Sequence, residues 1–60
     1  MKVEENDCVL LKDGRVVAIT MVLDEEKGIF MAEDSDDRGQ ALDYPTITIA
    51  DIVKVTYHPV

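Results

Sequence analysis

The chain has 60 residues, 47% of them hydrophobic, and thirteen acidic against six basic side chains give a net charge of −7. That length allows one small domain, and that hydrophobic fraction excludes a disordered chain. Cys8 is the only cysteine, so an internal disulfide is excluded and a thiolate zinc site nearly so, while the acidic balance opposes contact with nucleic-acid phosphates.

The segment Met1–Asp7 is polar and lacks the apolar run of a secretion signal. Cys8-Val9-Leu10-Leu11 reads as a first strand, followed by a turn at Asp13-Gly14. Arg15 to Leu23 is the longest strand, rich in β-branched residues. Its apolar core, Val16 to Leu23, is far too short to span a membrane. It is also apolar on both faces, with Val17, Ile19, Met21 and Leu23 on one and Val16, Ala18 and Val22 on the other. Two readings fit: the strand bends and serves two sheets, or its outer face meets another chain. Met21 and Met31 are expected as core filler.

Asp24-Glu25-Glu26-Lys27-Gly28 is a hairpin turn leading into a third strand, Ile29–Ala32. Residues 33–45 lack apolar periodicity until Ala41 and Leu42, so they form a long polar loop or a weakly paired hairpin extension. Thr46–Ile49 is the fourth strand, Ala50-Asp51-Ile52 a single 3-10 turn, and Val53–Tyr57 the fifth strand. Tyr57 continues the Val53-Val55 stripe and is expected at the core or its edge. Pro59 cannot donate to a ladder and closes the strand. The expectation is one all-β domain over residues 1–60, a small five-stranded barrel with a 3-10 turn before the last strand.

Two segments, Asp7-Cys8-Val9-Leu10-Leu11-Lys12-Asp13-Gly14-Arg15 and Thr46-Ile47-Thr48-Ile49-Ala50-Asp51-Ile52-Val53-Lys54-Val55, give this chain a layout that resembles the Src-homology-3-like barrels of small bacterial proteins. The resemblance implies a fold, and an antiparallel pairing of first and last strands, but no activity. Two better-known barrels of this kind fit less well. KOW-type nucleic-acid-associated barrels need a glycine after the basic turn, whereas Arg15 is followed by Val16, Val17 and Ala18. Signalling domains that bind proline-rich peptides need stacked aromatics. Ala41-Leu42-Asp43-Tyr44-Pro45 echoes their signature in the wrong place, and the chain has no tryptophan.

Candidate sites are few. Asp34, Asp36 and Gly39 match three positions of a calcium loop, but Arg38 occupies another and Pro45 stands where the bidentate glutamate belongs. The loop therefore reads as solvated, or as negative charge offered to a basic partner. The strand pairing implied by the resemblance brings Cys8 near His58, the seed of a nucleophilic site, yet no orienting group or pocket accompanies them. Tyr44-Pro45 closes the loop as an anchor or a contact.

The reading is a non-enzymatic protein-interaction module of a cytoplasmic protein, without cofactor or metal. Its contact surface is expected at Val16, Val22 and Phe30, with Asp34, Asp36 and Asp37 as an acidic rim and Tyr44 beside it. The partner is another protein or a second copy. The alternatives are a KOW-like nucleic-acid-associated barrel and an acidic nucleic-acid mimic that inhibits a basic enzyme.

Overall fold

Short turns built on aspartate and glycine cut the chain into strands. The computed structural model describes residues 1–60 in full. In order, it contains β1 (Cys8–Leu11), β2 (Val16–Asp24), β3 (Ile29–Ser35), β4 (Ala41–Asp43), β5 (Thr46–Thr48), a 3-10 turn (Ile49–Asp51) and β6 (Ile52–Tyr57). Between β1 and β2, Asp13 Oδ1 accepts the Arg15 N–H at 3.0 Å, which fixes the tight connection. Between β2 and β3, Asp24 Oδ1 accepts the Lys27 N–H at 2.9 Å.

All pairings are antiparallel, in the order β4-β3-β2-β1-β6, with β5 also on β3. The all-β class and the 3-10 turn before the last strand are as expected. The strand count is corrected from five to six. The stretch expected as a polar loop at 33–45 is the hairpin alternative: β3 runs on to Ser35 and meets β4, with Asp34 opposite Asp43 and Ser35 opposite Ala41. Asp36 organises the tip, its Oδ1 accepting the N–H groups of both Arg38 and Gln40 at 2.9 Å. Backbone pairing supplied by the β3 edge, rather than apolar side chains, makes β4 a strand.

The expected barrel is also corrected, because the sheet does not close. β6 at one end pairs only with β1, and β4 and β5 pair only with β3. The sheet curls over nine buried apolar side chains: Val9 and Leu11 from β1, Val17 and Ile19 from β2, Phe30 and Ala32 from β3, Ile47, Ile52, and Val3 from the N-terminal segment. Side-chain alternation along each strand puts these on one face.

The long strand β2 changes face part-way. Ile19 lies opposite Ala32 and Met21 opposite Met31, so Thr20 is an extra residue. A bulge of this kind reverses the alternation that follows it. Val22 consequently packs against the core and Met21 is exposed. The expectation that the doubly apolar strand serves two sheets is corrected: β2 pairs with β1 and β3 in one sheet, and the bulge changes which face its second half presents. β6 carries two similar irregularities against β1, and Ile52 and Val55, three residues apart, both meet the core while Val53 is exposed.

Candidate functional site

The expected contact residues do not form one surface. Phe30 is 4% exposed and belongs to the core. Val22 packs against that core. Both are corrected as contact residues, because the Thr20 bulge turns Val22 inward and Phe30 lies opposite it. Val16 is 51% exposed and stays on the outer face. Asp34 bonds Arg15 Nη1 at 3.4 Å, Asp36 is engaged in its own turn, Asp37 is exposed at the hairpin tip, and Tyr44 is exposed. Tyr57 and Met21, expected in or near the core, are exposed as well.

What the strand register does assemble is an outer row on β6-β1-β2. Cys8 lies between Tyr57 and Ala18, and Leu10 between Lys54 and Val16. Residues directly opposite each other in a ladder share a face. Their neighbours Val9 and Leu11 point to the core, so this set points away from it. The result is a largely apolar outer patch of Cys8, Leu10, Val16, Ala18 and Tyr57, with Lys54 at one corner. Leu10, Cys8 and Ala18 are only half-buried, and Tyr57 is 60% exposed. Sequence reasoning found Val16 but missed its companions. The alternation of β1 carried the signal, since Cys8 and Leu10 are apolar at the positions that should be wet.

A second assembly lies at the ends of the sheet. β1 and β6 do pair antiparallel, and they bring the residue before β1 beside the residue after β6. The partner that meets His58 is therefore Asp7, not Cys8. Asp7 is 1% exposed. Its main chain is pinned to β2, where its carbonyl accepts the Ile19 N–H at 2.8 Å. One carboxylate oxygen, Oδ2, accepts the Glu4 N–H at 2.9 Å. The other, Oδ1, meets His58 Nδ1 at 2.5 Å. On the far side of the imidazole, Nε2 lies 3.6 Å from Glu4 Oε2. Burial pushes the Asp7 carboxyl upward, but the Glu4 N–H and the His58 ring outweigh it and hold its pKa below the ordinary aspartate value. The same bond to Asp7, with the Asp7 and Glu4 charges, raises the His58 pKa.

Glu4, Asp7 and His58 are the one group of three acidic, histidine or cysteine side chains whose ligating atoms all lie within 4.8 Å of one another. Asp34, Asp36 and Asp37 do not converge in this way. A cleft of about 480 Å³ lies elsewhere, between the N-terminal segment, the β2–β3 turn and the 3-10 turn. Phe30 and Ile49 contribute apolar wall and Lys2, Glu26 and Lys27 contribute charge. Its lining holds no histidine, cysteine or hydroxyl side chain, and its titratable side chains are Lys2, Glu25, Glu26 and Lys27.

No protein-family model, curated protein or solved structure matches the chain.

Proposed function

We propose that this protein is a non-enzymatic protein-interaction module, related in layout to the Src-homology-3-like barrels and working in the cytoplasm. The contact is made through the outer face of β6-β1-β2. The observation that supports this reading is the apolar patch of Cys8, Leu10, Val16, Ala18 and Tyr57 on a sheet face that carries no second layer. A soluble sheet with one face on the core ordinarily presents polar side chains on the other. An apolar patch there marks a surface that another molecule covers.

Charge selects the occupant. A chain of net charge −7 repels a second copy of itself and repels nucleic acid. It attracts a protein whose contact surface has an apolar centre and a basic rim. Arg15, at the margin of the patch, is already held by Asp13 at 2.8 Å and Asp34 at 3.4 Å, so it does not offset that preference.

Affinity purification from the native host, followed by titration of the recovered partner in pure form, tests the reading. Binding to the wild-type chain weakens with salt, and Val16→Lys reduces it by about tenfold or more, the effect of placing a charge in an interface centre. Asp37→Asn at the hairpin tip changes it little. A partner that binds Val16→Lys as tightly as wild type overturns the surface. A gel shift with nucleic acid at low salt, or a stable dimer in sedimentation, overturns the choice of occupant.

A further inference from the structure

We propose that Glu4 and His58 form a binding site for a divalent transition-metal cation of the zinc class, with the buried Asp7 as the positioning residue for the imidazole. The two ring nitrogens have separate surroundings. Nδ1 is committed to Asp7 Oδ1, a carboxylate that is itself fixed by the Glu4 N–H and by burial. Nε2 faces outward to Glu4 Oε2 at 3.6 Å. A carboxylate on one imidazole nitrogen and a free edge on the other is the arrangement that orients metal-bound histidines and raises their basicity.

The spacing suits an ion. Two ligands each about 2.0–2.1 Å from a tetrahedral centre stand roughly 3.3–3.4 Å apart, and Nε2 and Oε2 close that gap by a few tenths of an ångström. With His58 neutral, the three side chains carry two negative charges, which a dication balances. One nitrogen and carboxylate oxygen select zinc or a neighbouring transition metal over calcium or magnesium, which take oxygen ligands. Glu4 and His58 are half-exposed, so water fills the remaining positions. Lys2, at 3.7 Å from Glu4 Oε1, is the one cation that faces the site, and it sits on the other carboxylate oxygen. The metal takes the Nε2 lone pair: the imidazolium form loses its Nε2 proton to solvent, the neutral form loses none, and the Nδ1 proton stays on the ring, hydrogen-bonded to Asp7 Oδ1.

Titration of the tag-free chain of residues 1–60 with zinc chloride, followed by calorimetry and by nitrogen NMR of the His58 ring, tests the site. The expected result is saturable binding of one ion per chain, with proton release that grows as pH falls and a shift confined to Nε2. Glu4→Gln and His58→Gln each lower the affinity by about tenfold or more, and Asp7→Asn does so with both ligands still present. Circular dichroism confirms that each variant is folded, and the two exposed ligand variants decide the question if Asp7→Asn is not. Absence of saturable binding to wild type overturns the site. So does binding that survives in both ligand variants, which places the ion elsewhere. Unchanged affinity in folded Asp7→Asn overturns the positioning role.

Discussion

Gly28 shows how a single residue ties two parts of this small fold together. It stands at φ +66°, and a Cβ added there would lie 2.9 Å from both Cβ and Cγ2 of Ile49. Its carbonyl accepts the Ile49 N–H at 2.8 Å, joining the β2–β3 turn to the 3-10 turn. Gly28→Ala therefore meets both left-handed backbone strain and a collision. Gly14, at φ +95° with nothing within 4 Å of its Cβ position, meets only the first. Gly14→Ala should cost about 1 kcal/mol and Gly28→Ala about 2 kcal/mol or more in urea denaturation. Equal losses would mean that the approach to Ile49 relaxes freely. Asp7 and His58 act on stability through pH. Asp7 titrates below its ordinary value of 3.8 in the folded chain, so its contribution is present above that value and lost as pH falls through the lowered one. His58 titrates above its ordinary value of 6.5; its contribution is complete below 6.5 and lost as pH rises through the raised one. Melting temperature in chelator-treated buffer should thus decline on both sides of the interval 3.8 to 6.5. His58→Gln should flatten the alkaline decline, and an unchanged profile in that variant would remove His58 from the account.

At the scale of elements, most of the fold was legible and the site was not. Turn residues and β-branched runs located β1, β2, β3, β5 and β6, and the Ala50-Asp51 segment its 3-10 turn. The missing strand, β4, is a matter of backbone pairing: Ala41-Leu42-Asp43 has no apolar periodicity of its own, but its chain runs back along the β3 edge. The misplaced contact residues have a different origin. Alternation counted through β2 keeps Val17, Ile19 and Met21 on one face, and one extra residue at Thr20 breaks that count. Nothing in Ile19-Thr20-Met21 announces a bulge, since its cause is the register that β3 imposes. Asp7 and Glu4 went unread because they lie outside any strand, and only the β1–β6 pairing puts them beside His58. The bulge gives a direct test by charge insertion. Met21→Asp should cost less than about 1 kcal/mol, as an exposed substitution, whereas Val22→Asp should cost about 2–3 kcal/mol by placing a carboxylate against the core. Alternation without the bulge demands the reverse order, so chemical denaturation of the two variants distinguishes them.

For the molecule as a whole, an open sheet over nine buried apolar side chains leaves little reserve of stability, and long-range charge becomes a visible part of it. Thirteen acidic side chains repel one another across a chain with only six basic ones. The lysine and arginine pairs that oppose this repulsion, Lys2–Glu4, Arg15–Asp13 and Arg15–Asp34, each involve at least one exposed partner, and such pairs contribute at most about 1 kcal/mol. Salt screens repulsion and attraction alike, so the sign of its effect reports which is larger. Raising sodium chloride from about 20 mM to about 500 mM shortens the Debye length from roughly 20 Å to roughly 4 Å. The like charges here greatly outnumber the paired ones, and screening should relieve more repulsion than it removes attraction. The melting temperature at neutral pH should therefore rise with sodium chloride, and more steeply in Arg15→Gln, which adds one net negative charge and removes the two aspartate attractions that salt would otherwise weaken. A wild-type melting temperature that falls with salt would show that the pairs around Arg15 and His58 outweigh the excess of negative charge, and it would remove the electrostatic ground for preferring a basic partner over a second copy.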